Sequence, residues 1–224
     1  MPKPKDPSIR VIRRLPRYYR FLSELEASGV DKISSTKLAS IMSSTASQIR
    51  QDLNCFGGFG QQGYGYSVKG LKEEIEKILG LDCIHSAVLL GAGNLGRAIA
   101  THLNFEQLGF KLTAIFEKDE KLVGTMLRGI RVLPDDEIDA YLQEHEIDTA
   151  MLALPKDSVE KLIDKLYALG IRNFWNFSHY DIAKRYDDVV VENVHLSDSL
   201  MTLCYRITEK SRNQKETEET EKTE

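Results

Sequence analysis

The sequence predicts an α/β chain in two parts, a small helical domain over residues 1–80 and a mostly parallel sheet domain over 84–196. Three observations carry this reading. Charge is divided along the chain: residues 1–70 hold 11 Lys/Arg and 5 Asp/Glu, a net of +6, whereas the remainder holds 19 and 29, a net of −10. A basic front end on an acidic body points to nucleic acid at one end only. The apolar pattern changes near 80–84, from three- and four-residue spacing to short apolar runs alternating with amphipathic stretches, the rhythm of βαβ units. Finally, Gly91, Gly93 and Gly96 follow the apolar run Val88-Leu89-Leu90 and open a helix.

In chain order, Pro16 suits the first turn of a helix whose apolar stripe is Tyr18, Phe21, Leu22 and Leu25, with Gly29 as its C-cap. A second helix is expected at 36–42, capped by Ser34 or Ser35, and a third at 45–55. In the third, Ala46, Ile49 and Leu53 lie inward, and Ser47, Gln48, Arg50, Gln51 and Asn54 form the opposite face. Helix, short turn and second helix with an arginine-bearing polar face is the helix-turn-helix layout. The alternating glycines and aromatics of 56–66 suit a hairpin beside it, the wing of a winged helix. A connecting helix over 68–80 follows. Strands are then expected at 87–90, 112–116, 130–133, 149–154, 173–176 and 189–191, with helices at 94–108, 135–145 and 156–169. A helix at 197–208, apolar at Leu200, Leu203, Cys204 and Ile207, has no later sheet element to cover it. An interface helix (197–209) in a homodimer is therefore expected. The Glu/Thr/Lys-rich tail 210–224 is expected to be disordered.

The glycine turn has a chemical logic. Gly91 permits the tight turn, Gly93 lets the backbone approach a pyrophosphate, and Gly96 lets the helix pack on the strand so that its N–H groups face the phosphates. Ala92, Asn94 and Leu95 complete the turn. The next strand ends at Glu117, 21 residues past Gly96, where a carboxylate accepts from a ribose 2′-OH and repels a 2′-phosphate. Lys118 adjoins it. This Rossmann-like pattern favours NAD(H). Ala153-Leu154-Pro155 ends a further strand beside the same crevice, and Asn176-Phe177 ends the next, on the nicotinamide side.

Other classes are disfavoured. No apolar run approaches the roughly 20 residues that span a bilayer, and no signal-peptide core is present, so a cytoplasmic location is expected. Cys55, Cys83 and Cys204 are far apart and form no Cys-x-x-Cys pair, so no metal site is expected. The alternative to a regulator is a small NAD(H)-dependent oxidoreductase, for which Tyr180-x-x-x-Lys184 is a candidate pair. Its expected serine position, 13 residues upstream, holds Tyr167, and no chain remains for a substrate domain. The reading is against an enzyme, and no catalytic residue is assigned.

The chain resembles the Rex family of bacterial redox-sensing transcriptional repressors over about residues 10–208. The resemblance rests on Arg14-Leu15-Pro16-Arg17-Tyr18-Tyr19-Arg20, Ile33-Ser34-Ser35, Gln48-Ile49-Arg50-Gln51-Asp52-Leu53, Phe56-Gly57-Gly58-Phe59-Gly60, Gly63-Tyr64-Gly65-Tyr66 and the glycine turn, with Asn176-Phe177 and Val191-Glu192-Asn193-Val194 in support. It implies a homodimer with a swapped final helix that binds palindromic operator DNA when NADH is scarce and releases it when NADH closes the dimer. It assigns Arg50 and Gln51 to base or phosphate contacts and Arg14, Arg17 and Lys37 to the DNA backbone. Ser44, Ser47, Gln48 and Tyr64 are placed at the same interface.

Four departures from the family pattern stand out. Gln61-Gln62 and Gln51 replace basic residues common in relatives, His102 replaces a tyrosine, and His195 replaces an aspartate that relatives use in an interdomain contact with the arginine matching Arg20. Arg20, His102, His195 and Leu196 are therefore the expected switch positions.

Overall fold

A computed structural model describes residues 7–56, 60–61 and 65–221, and divides the chain into two compact units. The first holds the chain up to Ile84 together with Gln107–Gly109, and the second holds His85–Glu106 and everything from Phe110 onward.

In the first unit a short helix α1 (Ile9–Ile12) leads into α2 (Leu15–Ala27), with Pro16 in its first turn as its fixed φ allows. Gly29, in the left-handed region at φ 76°, lies one residue beyond the Ser28 C-cap. Strand β1 (Lys32–Ile33) precedes α3 (Ser35–Ile41), whose cap is Ser34, its side chain accepting from Lys37 N. Helix α4 (Ala46–Asn54) is capped by Thr45, which accepts from Gln48 N at 3.1 Å. Strands β2 (Gly60–Gln61) and β3 (Gly65–Ser67) complete a three-stranded sheet in the order β1-β3-β2. Much of the expected wing, Tyr64 included, lies outside the described residues. Gly65 is required on two counts: its φ is 74°, and a Cβ would meet Ile33 O at 2.7 Å. Helix α5 (Val68–Leu79) ends at left-handed Gly80. Tyr18, Leu22, Leu38, Ile49, Leu53, Leu71 and Ile75 make one core, so α2, α3, α4 and α5 share it.

The second unit is a seven-stranded sheet in the order β10-β9-β8-β4-β5-β7-β6. Its strands are β4 (His85–Leu90), β5 (Phe110–Glu117), β6 (Met126–Leu127), β7 (Ile130–Pro134), β8 (Thr149–Leu152), β9 (Asn173–Asn176) and β10 (Val190–Asn193). All neighbours pair in parallel except β6 with β7. Burial on both faces explains the continuous apolar runs: Ala87 to Leu90 are all at most 1% exposed. Helices α6 (Asn94–His102), α7 (Ile138–Glu144) and α8 (Lys156–Ala168) make the crossovers. The expected helix over 94–108 is corrected: it stops at His102, and Glu106–Leu108 is a separate 3₁₀ turn. The strand expected to reach 154 ends at Leu152, which leaves 153–155 in a loop.

The expected disordered tail is also corrected. Helix α9 runs from Leu196 to Glu221. Glu, Lys, Gln and Arg are good helix formers, and no Gly or Pro interrupts the run, so the helix continues after its apolar stripe has ended. Leu196, Leu200, Met201, Leu203, Tyr205 and Ile207 are each at least half exposed.

Candidate nucleotide cleft and nucleic-acid interface

The sheet reverses direction of growth at β4. From there the chain adds β5 and β7 on one side, then crosses to β8, β9 and β10 on the other. Loops leaving the carboxyl ends of β4 and β8 must diverge, and a crevice opens between them at this switch point. Residues 91–93 and 153–155 flank it.

The three glycines are small for different reasons. Gly91 has φ 97°, and a Cβ there would meet Ala153 O at 2.5 Å. At Gly96 a Cβ would fall 1.8 Å from Gly91 O. Both are therefore fixed by the protein's own packing. Gly93 is not: its φ of −65° is open to any residue, and nothing lies within 4 Å of its missing Cβ. A glycine required by neither conformation nor packing leaves its backbone open to a ligand. Gly93 is also the N-cap of α6 and has no side-chain cap, so the first-turn N–H groups of Asn94, Leu95 and Gly96 face outward for an anion.

Glu117 ends β5 beside this turn. Its Oε2 accepts from Ala92 N at 2.6 Å, and its Oε1 accepts from Lys118 N at 2.9 Å and Asp119 N at 3.1 Å. The carboxylate is thus held in one pose at the crevice. A cavity of about 380 Å³ adjoins it, walled by Leu90, Phe116, Ile138, Leu154 and Leu162, with Glu117, Lys118 and Lys161 among its polar lining. An apolar slot with a carboxylate at its mouth matches an adenine and its ribose.

Asn176, expected on the nicotinamide side, ends β9. Asn176 is fully buried, and its amide is satisfied within the protein. Its Nδ2 donates to Tyr180 O (2.9 Å) and Asn193 Oδ1 (2.8 Å), and its Oδ1 accepts from Ser178 N (3.0 Å) and Ser178 Oγ (2.7 Å). The Asn176 side chain shapes the turn after β9. Phe177, half-buried, packs edge-on to Trp175 with ring centroids 4.5 Å apart.

Of the switch candidates in this unit, His102 is exposed in the last turn of α6 and Leu196 is 65% exposed at the start of α9. His195 donates from Nε2 to Ser178 O at 3.1 Å, holds Nδ1 3.6 Å from Asp198 Oδ2, and lies 4.8 Å from the His179 ring. Arg20, in the first unit, is exposed with its guanidinium 5.6 Å from the Phe21 ring.

The first unit presents a helix-turn-helix. Helices α3 and α4 are joined by a tight turn in which Ser43 takes φ 48°. Lys37, Ser44, Ser47, Arg50 and Gln51 are exposed around it, and Arg50 Nη1 donates to Ser35 Oγ at 3.1 Å. Two of the arginines expected at the DNA backbone carry internal bonds. Arg17 Nη2 donates to Met42 O, bracing the turn. Arg14, its side chain 41% exposed, grips both oxygens of Asp52 with Nε and Nη2 at 2.7 and 2.6 Å.

Sequence reasoning missed Asp52 as a functional residue, counting it only as one acid in a basic domain. It is 0% exposed and accepts four hydrogen bonds, two from Arg14, one from Tyr18 Oη at 2.9 Å and one from Gln48 Nε2 at 2.7 Å. The signal was available: Asp52 is adjacent to inward Leu53 and three residues past inward Ile49, so its position on α4 is a buried one.

Comparison with known proteins covers both units. A family model described as "Putative DNA-binding protein N-terminus" matches residues 8–54, and one described as "CoA binding domain" matches 82–180. The redox-sensing transcriptional repressor Rex of Clostridium beijerinckii is 49% identical over 209 residues, which is 93% of this chain and 99% of that protein. Its namesake from Thermoanaerobacter pseudethanolicus is 49% identical over 209 residues, 93% of each chain. Two crystal structures of RSP superpose on it. One, in complex with β-NAD⁺ and operator DNA, has TM-score 0.82 at 48% identity, covering 93% of this chain and 95% of that one. The other, in complex with β-NADH, has TM-score 0.84 at 44% identity, covering 94% and 99%.

Proposed function

The chain belongs to the Rex family of redox-sensing transcriptional repressors, and from that premise we propose how its two units divide the work. It is a DNA-binding repressor that reads NADH against NAD⁺, and it is not an enzyme. The observation that carries the nucleotide reading is Gly93, a glycine that neither its φ nor any neighbouring atom requires and that leaves the turn open to a ligand. The crevice takes the pyrophosphate at the turn of α6, the adenine in the apolar slot, and the ribose 2′-OH at Glu117, which disfavours NADP(H).

The nucleotide supplies no chemistry here, because its occupancy is the signal. Helix α4 enters the major groove of operator DNA, with Arg50 and Gln51 at base edges and Arg17 and Lys37 near phosphates. Two copies, joined through the exposed apolar stripe of α9, match a palindrome. NADH favours a closed dimer and DNA an open one, so each weakens the other by the same factor. Arg20, His102, His195 and Leu196 are the proposed switch positions. Such a repressor acts where bacterial DNA is, in the cytoplasm.

The test is a titration of NADH, NAD⁺ and NADPH against the protein bound to a palindromic duplex. Release by NADH at the lowest concentration, with no turnover, supports the sensor. Turnover without DNA affinity overturns it in favour of an oxidoreductase.

A further inference from the structure

The repressor reading places the N-terminal turn of α4 at the bases, since that end of a recognition helix approaches base edges. Gln48 is the third residue of this helix. Thr45-x-x-Gln48 has the spacing of a capping box, in which the glutamine side chain turns back to the N-cap N–H. Only half of that box is made. Gln48 N donates to Thr45 Oγ1, but the side-chain amide runs forward one turn to Asp52 Oδ1 at 2.7 Å.

This contact fixes the amide's orientation. A carboxylate only accepts, so the nitrogen must face Asp52 and the carbonyl must face away. One amide hydrogen is engaged. The other, and Oε1, carry no hydrogen bond among the described residues. Meanwhile Asp52 is itself immobilised by the Arg14 fork and the Tyr18 hydroxyl, both from the N-terminal end of α2. The chain of contacts therefore runs from α2 through a buried carboxylate to a half-exposed side chain on the reading face.

Deepening the repressor reading, on which this rests, we propose that Asp52 is a positioning residue for base recognition: it holds Gln48 so that one N–H and one carbonyl are presented together. That donor–acceptor pair is complementary to N7 and N6 of adenine in the major groove. Asp52 reads nothing itself. It sets which edge of Gln48 is shown to the base.

The experiment selects binding sites from a duplex library with both palindromic arms randomised, using the full-length protein at fixed salt. Wild type is expected to specify adenine at one position of each arm. Gln48→Leu, a half-exposed substitution that the fold tolerates, is expected to reduce that preference at least tenfold and to leave the other positions specified. Asp52→Asn, which sets an amide against the Arg14 fork, is expected to weaken the same position. The double variant should lose no more adenine preference than Gln48→Leu alone, because both act through one contact. A merely structural role for Asp52 would instead weaken all positions and add to the Gln48 effect. Retained adenine preference in Gln48→Leu, or a base other than adenine at the position it relaxes, overturns the proposal while the repressor reading stands. If wild type selects no sequence and NADH displaces no DNA, both fall. If Asp52→Asn does not fold, Gln48→Leu still overturns the proposal by keeping its adenine preference.

Discussion

Ala92 donates its backbone N–H to Glu117 Oε2 at 2.6 Å, which makes the acid at the end of β5, proposed above to meet the ribose, a strut of the glycine turn. Glu117→Gln keeps an acceptor for Ala92 but removes the charge. NADH affinity should fall about tenfold, roughly 1.4 kcal/mol, while NADPH loses less or gains. Fluorescence titration of both nucleotides measures the ratio, and an unchanged ratio would remove Glu117 as the discriminating group.

Gly93 and Gly96 separate ligand from fold. Gly96→Ala puts a methyl 1.8 Å from a backbone oxygen, and the helix must move off the strand. Its melting temperature should drop steeply, a loss of about 4 kcal/mol or more. Gly93→Ala meets no protein atom within 4 Å. It should melt within about 2 °C of wild type, a change of well under 1 kcal/mol, and yet bind NADH at least tenfold more weakly. Calorimetry and titration on the pair check this, and equal loss of stability would sink the distinction.

Arg50 is exposed on α4 and donates to Ser35 Oγ. Arg50→Ala should weaken operator binding by more than about 1 kcal/mol with NADH affinity intact. A gel-shift assay with unchanged affinity would reject its assignment.

The Asp52 network has a pH signature. Burial alone would push its carboxyl up, but hydrogen bonds from Arg14, Gln48 and Tyr18 outweigh burial and hold it below the ordinary carboxylate value of 3.8. A group with a lowered native value contributes stability that is fully present above its unfolded value and is lost as pH falls through the native one. Acid unfolding of the first unit should therefore steepen below about pH 4. Asp52→Asn should flatten that limb and reduce stability at neutral pH by about 3 kcal/mol, because Arg14 loses its partner. Circular dichroism from pH 2 to 7 measures both, and parallel acid limbs would exclude the network as their source.

Much of this was legible in the sequence because the signals were local. The spacing of Gly91, Gly93 and Gly96 and the position of Glu117 are properties of one βαβ unit. The outward face of α4 follows from its own periodicity. What escaped was non-local. Arg14 was given to the DNA backbone by the family resemblance alone, and the acid it grips is 38 residues away. Asn176 looked available to a ligand because its four bonds go to a turn and to Asn193, 17 residues on. The tail failed for a different reason: lack of apolar residues argues against a core, but not against a helix that extends from one already nucleated.

The apolar side of α9 has a consequence for how any measured response is to be compared between laboratories. Leu200, Leu203 and Ile207 are each at least half exposed among the described residues. If a second copy covers them, the mass-action law applies to the regulator itself. Dilution then shifts the apparent NADH sensitivity even though no cleft residue has changed. A cell holding few copies would respond along a different curve from a concentrated sample, and protein concentration belongs on the axis beside that of the nucleotide.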